Sequence, residues 1–232
     1  MELSTGSACA GTAGSGFVSG SGRGRGNNRV YARFVKRPFD FLLALVSLPV
    51  CLPAIAVLWL LVRLDGGAGF FTQARVGRGG RVFTCWKLRT MVPDAERALD
   101  DLCARDPEAA REWETNQKLA KDPRITRVGA FLRATSLDEL PQIWNVLKGD
   151  MSLVGPRPFM ICQEEQYRDG GGEAYFRLRP GITGPWQIDG RGATAFVDRV
   201  RFDAAYWEGL SLRQDLRLLL RTIGVVLGRT GQ

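Results

Sequence analysis

The chain has 232 residues, a formal net charge of +8 and no histidine. That length suffices for one domain with a real core and is short for two, and the positive balance predicts anionic partners: phosphorylated substrates, nucleic acid or an acidic lipid surface. The missing histidines exclude His-based acid–base work, Ser-His-Asp and Cys-His nucleophile systems and His-ligated zinc, so any chemistry falls to carboxylates, Lys, Arg, Tyr, Cys or a hard metal.

Residues 1–28 are rich in Gly, Ser and Ala and end in GSGRGRGNN. They read as a disordered tail with no signal peptide. Its Arg-Gly pairs read as solvated linker, and charge alternates along the rest of the chain, so no nucleic-acid partner is expected. The five cysteines are odd in number and lack a CxxC pair. They indicate neither disulfides nor a zinc knuckle and fit a reducing, cytosol-facing location.

Residues 29–232 read as one domain, with a membrane hairpin at about 36–64 followed by a globular part. Phe41 to Val62 holds 22 residues without a charge, and a straight helix of that length reaches roughly 33 Å, one bilayer core. Pro49 and Pro53 interrupt it near the middle, where each removes a backbone donor. Arg and Lys flank both ends, and the positive-inside rule asks both to stay on one side. A re-entrant helix–break–helix meets both demands, with Ser47 available to one carbonyl freed at the break. A spanning helix and a buried core helix are the alternatives.

After this segment, FFTQARV and RVFTCWKLRTM read as two strands joined by a glycine-rich turn. Pro93 to Glu114 reads as a charged helix interrupted at Asp106-Pro107. Residues 173–191 carry repeated Gly and Pro and read as an ordered loop. The last forty residues are amphipathic helices, with Ser211 and Gln214 as a capping box and apolar faces suited to the core or to a membrane interface. The fold class expected is α+β, mostly helical and membrane-associated.

The run TSLDELPQIWNVLKGDMSLVGPRP, residues 135–158, carries the chemistry. Asp138 and Glu139 sit at the expected start of a helix, where unpaired N–H groups welcome anions. Their structural alternative is a capping box, Ser136 with Glu139. Arg157 lies between Pro156 and Pro158 with little freedom to lose. It suits gripping phosphate, or a structural ion pair. Lys87, Arg89, Arg124 and Arg127 add cations near the acids in sequence.

In combination, KRPFD (36–40), FFTQARVG (70–77), WKLRTM (86–91), residues 122–158, RPGITGPWQIDGR (179–191) and LRQDLRLLLRT (212–222) resemble the bacterial sugar transferase family, the monotopic polyprenyl-phosphate hexose-1-phosphate transferases. The motifs cover about residues 34–225 in the expected order. The resemblance implies transfer of a sugar 1-phosphate from a UDP-sugar to polyprenyl phosphate, with release of UMP, on the cytoplasmic face of a bacterial inner membrane. It implies Asp138 as a nucleophile forming a phosphosugar ester, Glu139 as its partner in holding Mg²⁺, and Arg157 and Lys87 as active-site cations. Arg89, Arg124, Gln187 and Arg191 complete the expected substrate-binding set. Two departures stand out: Leu52 where the family commonly has Ser before the hairpin proline, and Ala68-Gly69 in place of Gly-Pro. The expected partners are the UDP-sugar, polyprenyl phosphate and membrane lipid; whether the chain forms a homo-oligomer stays open. An ordinary glycosyltransferase would release UDP and commonly uses an Asp-x-Asp motif, which is absent. A non-enzymatic scaffold for polysaccharide assembly would tolerate loss of Asp138.

Overall fold

The computed structural model describes residues 30–116, 119–190 and 194–227. The tail 1–28 and Arg191 therefore lie outside the described residues. A π-helical turn, Tyr31–Val35, runs into α1, Lys36–Leu64. The hairpin β1 (Phe70–Val76) and β2 (Val82–Leu88) follows, then α2 (Ala95–Arg105), α3 (Pro107–Asn116), α4 (Arg127–Thr135) and α5 (Gln142–Lys148). The C-terminal half holds β3 (Ser152–Val154), α6 (Glu164–Asp169), α7 (Ala174–Arg177), β4 (Gly181–Thr183), α8 (Pro185–Asp189), α9 (Arg199–Glu208) and α10 (Leu212–Leu227). The fold is thus α+β and mostly helical, with an antiparallel pair β1–β2 and a parallel pair β3–β4.

The expected break in the apolar segment takes another form. The backbone stays helical from Lys36 to Leu64, with Pro49 and Pro53 inside the helix. Ser47 does not serve the carbonyls these prolines free, since its hydroxyl donates to Ala44 O at 2.8 Å. What holds α1 instead is packing along one stripe. Lys36, Asp40, Ala44, Leu58 and Val62 are buried, and Leu48 and Ile55 lie partly buried between them. These spacings of three, four and seven residues put all of them on one side of the helix. The opposite side is apolar and open: Val46, Val50, Leu60 and Leu64 are 73, 75, 57 and 76% exposed.

Both ends of α1 grip the same body. At the start, Arg37 donates to the Val146 and Leu147 carbonyls at the end of α5. Asp40 accepts from Ser152 Oγ at 2.7 Å and Leu153 N at 3.2 Å. At the far end, Leu58 and Val62 pack with Leu88 and Leu132, and Arg89 donates to Val62 O at 2.9 Å. Asn145 in turn fastens α5 to β2: its amide accepts from Trp86 N at 3.1 Å and donates to Thr84 O at 2.7 Å.

Residues 173–190 are more regular than expected. They contain α7, β4 and α8, and glycines let the backbones of β3 and β4 touch. A Cβ on Gly155 would lie 2.4 Å from Arg179 O, and one on Gly181 2.1 Å from Gly155 N. Only glycine permits that approach of β3 to β4. The Ser211 part of the predicted capping box forms, with Gln214 N donating to Ser211 Oγ at 3.3 Å.

Candidate active site

Three segments converge. The acid pair lies in a 3₁₀ turn, Leu137–Glu139, that feeds through Leu140 and Pro141 into α5. Proline is tolerated there because the first helical turn needs no donor from it. Ser136 enters this turn with φ of 56°, a left-handed conformation that costs a non-glycine residue about 1–2 kcal/mol. The capping-box alternative fails: the Ser136 side chain makes no cap hydrogen bond, and the Glu139 carboxylate is turned to cations instead.

Those cations are Lys87 and Arg157. Lys87 Nζ lies 2.8 Å from Glu139 Oε1 and 3.5 Å from Asp138 Oδ2. Arg157 Nη2 lies 3.0 Å from Glu139 Oε1. The acids are the more deeply set, with Asp138 8% and Glu139 9% exposed. The Lys87 and Arg157 side chains retain 21 and 24% of their surface, so an incoming ligand meets positive charge first. Burial pushes the Asp138 carboxyl above the usual carboxylate range, a push that Lys87 opposes and Glu139 reinforces. The negative charge of Glu139 holds the Arg157 guanidinium more firmly protonated.

Two further arginines stand close enough to feel the acids. Arg75 is weakened by burial and feels both Arg157 and Glu139; it donates to Pro158 O at 3.4 Å. Arg133, also weakened by burial, feels Asp138 and donates to Thr90 Oγ1 at 2.9 Å. Neither belongs to the expected set. The signal for Arg75 is strand alternation: Arg75 pairs with Phe83, Gln73 with Cys85 and Phe71 with Lys87, and such pairs share one face. The two carboxylates thus contact Lys87 and Arg157, with the charges of Arg75 and Arg133 felt from further away, a setting suited to a polyanion.

Other expected residues lie elsewhere. Arg89 donates through Nη2 to the Val62 and Gly66 carbonyls at the C-terminal end of α1, while its Nε and Nη1 are buried without a hydrogen-bond partner. Arg124 pairs with Asp122 through two bonds of 2.8 and 2.7 Å and stacks over Trp113. Neither hydrogen-bonds to the acid pair. Gln187 does join the site: it lines, with Glu139 and Arg157, a cavity of about 220 Å³.

The model of the family described as bacterial sugar transferase matches residues 31–229. The chain belongs to that family. Among curated relatives, a protein of Erwinia amylovora named UDP-galactose-lipid carrier transferase is 48% identical over 200 residues, 86% of this chain and 42% of its own length. One of Salmonella typhimurium, named undecaprenyl-phosphate galactose phosphotransferase, is 46% identical over 86% of this chain and 42% of its own. The exopolysaccharide production protein ExoY of Sinorhizobium fredii is 44% identical over 82% of this chain and 84% of its own. The chain therefore spans less than half the length of the first two and most of the third. In this sugar transferase, α1 with its preceding turn, 34 residues in all, is long and apolar enough to cross a membrane.

Proposed function

We propose that this chain transfers a sugar 1-phosphate from a UDP-sugar to undecaprenyl phosphate, as the first membrane step of exopolysaccharide or glycoconjugate assembly. The observation that carries this reading is the convergence of Asp138, Glu139, Lys87 and Arg157 beside an apolar cavity that touches α1.

The proposed chemistry has two displacements. An Asp138 carboxylate oxygen attacks the sugar-bearing phosphorus, the bond from that phosphorus to the bridging oxygen breaks, and UMP departs with the bridging oxygen. A phosphate oxygen of the acceptor then attacks the same phosphorus, the bond to Asp138 breaks, and the carboxylate returns free. Lys87 and Arg157 offset the repulsion between carboxylate and diphosphate and neutralise the departing UMP. Glu139 holds both cations in place.

The donor set also fits Mg²⁺. Mg²⁺ is commonly held by one or two carboxylates plus substrate phosphates, and no group of three or more acid, Cys or His side chains stands ready for a metal among the described residues. Asp138 and Glu139 would hold the ion, and when bound it supplies further charge neutralisation on the diphosphate.

The contacts of α1 support a placement in one leaflet. Its two ends grip one polar body, so spanning would drag the charged site toward hydrocarbon. Lying in one leaflet, with the open apolar side of α1 in lipid, puts the acids at the headgroup level on the cytoplasmic face. A decisive test incubates detergent-solubilised protein with undecaprenyl phosphate, Mg²⁺ and a panel of UDP-sugars. UMP as product with ping-pong kinetics, and radiolabelled sugar phosphate trapped on the protein, are expected. UDP as product would instead mark an ordinary glycosyltransferase. Intersecting initial-rate plots without labelled protein would require direct displacement.

A further inference from the structure

The cavity beside the acids has a mixed lining. Glu139 and Arg157 line it together with Thr183, Thr222, Val225, Cys51 and Ile143. The threonine pair has no proton to offer. Thr222 Oγ1 donates to Leu218 O at 2.8 Å, so in the 2.7 Å contact between the two hydroxyls Thr183 is the donor. A phosphate therefore belongs beside Arg157.

Gln187 strengthens that placement. Its amide nitrogen and oxygen are both buried and both without a hydrogen-bond partner. A buried amide left so costs more than it would in water, which points to a ligand group or water that completes it. The amide lies near the chain leading into Pro156-Arg157: a Cβ on Gly184 would sit 3.0 Å from Gln187 Oε1 and 2.0 Å from Gly155 O.

The flanking elements are those with open apolar surface. Cys51 sits on α1 between Val50 and Leu52, 75 and 56% exposed, and Val225 sits on α10 near Leu220 and Ile223, 70 and 56% exposed. A molecule with a phosphate head and an apolar tail, held in lipid, matches this combination of charged groups, apolar wall and apolar flanks. The UDP-sugar is polar throughout and does not.

Resting on the proposed reaction, we propose that this cavity is the acceptor subsite. Gln187 Nε2 donates to the prenyl phosphate beside Arg157 once UMP has left. The first isoprene units lie against Ile143 and pass Val225, and the rest of the tail leaves between α1 and α10.

The test measures both KM values of the full chain in detergent, with UDP-galactose as donor and either undecaprenyl phosphate or the short farnesyl phosphate as acceptor. Gln187→Leu keeps the side-chain size and removes the amide; Val225→Trp fills the space beside Val225. Each is expected to raise the acceptor KM about tenfold, alike for both acceptors because the lost contacts lie near the phosphate, while the donor KM stays within twofold. A raised donor KM with an unchanged acceptor KM overturns the assignment and gives the cavity to the nucleotide sugar. If Val225→Trp fails to fold, as read by its thermal midpoint, Gln187→Leu alone decides. Wild-type protein that releases no UMP from any UDP-sugar overturns the parent reaction and this subsite with it; normal wild-type turnover with both KM values unmoved in Gln187→Leu overturns the subsite alone.

Discussion

Two buried acids in this molecule have opposite surroundings. Asp215 on α10 is 0% exposed and accepts from Tyr31 Oη at 2.7 Å, Lys36 Nζ at 2.6 Å and Tyr206 Oη at 2.6 Å. Three donors from the turn before α1, from α1 itself and from α9 close around one carboxylate. Asp138 is comparably buried, yet its ionic contact is Lys87 at a long 3.5 Å, and the nearer ammonium contact goes to Glu139. A saturated acid is a staple that joins helices. An undersupplied acid among cations keeps lone pairs for a phosphorus or a metal.

Exchanging each acid for its amide separates the two roles most sharply. Asp138→Asn is expected to lower turnover by on the order of 10⁴ or more, the scale for removing a nucleophile, while the thermal midpoint does not fall, because only a long contact is lost. Asp215→Asn is expected to do the reverse. It breaks a buried, hydrogen-bonded pair at a cost of roughly 3–5 kcal/mol, seen as a lower thermal midpoint, while the folded fraction keeps its turnover within a few fold. Equal turnover in Asp138→Asn and wild type would leave the site without its nucleophile.

The cations allow the same separation on a smaller scale. Arg157→Ala is expected to cost on the order of 10²–10³ in kcat, the effect of losing one preorganised charged donor. Arg89 belongs with the staples despite standing two residues from Lys87. Arg89→Ala is expected to destabilise by about 1–3 kcal/mol, as α1 carbonyls lose their donor, with the donor KM within twofold of wild type. A tenfold rise in that KM would return Arg89 to the site.

These cases show what was legible beforehand. Asp138, Glu139 and Arg157 were readable because adjacent acids before a helix and a proline-locked arginine carry their chemistry in local sequence. Lys87 came with the resemblance, and its contact with the acids depends on strand pairing. Arg89 and Arg124 hydrogen-bond away from the acid pair because nearness in sequence says nothing about direction: a helix end takes one and Asp122 the other. Asn145 was missed although an Asn in the apolar run IWNVL was a visible anomaly; its complete burial and its role as a substitute for a strand neighbour appear only once α5 meets β2. The unbroken α1 was hidden for a similar reason. Proline propensity is local, whereas a stripe of contacts along the whole helix is tertiary, and tertiary packing prevailed.

A third buried acid lies between the two extremes. Asp203 on α9 accepts from Tyr167 Oη at 2.7 Å through one oxygen, and its other oxygen has no partner. Burial raises its pKa from 3.8 to about 6, against the pull of the Tyr167 hydrogen bond and Arg199. An acid whose folded pKa is raised binds protons more tightly when folded, so stability is greatest at low pH and is lost as pH climbs between about 4 and 6. Arg199, its neighbour on α9, also donates to Arg157 O. From pH 5 to pH 8 the Asp203 contribution is expected to fall by on the order of 1 kcal/mol. The gap in thermal midpoint between Asp203→Asn and wild type should therefore be wider at pH 8 than at pH 5, with the variant the more stable. A constant gap would mean that Arg199 keeps Asp203 ionised throughout, making it a second staple.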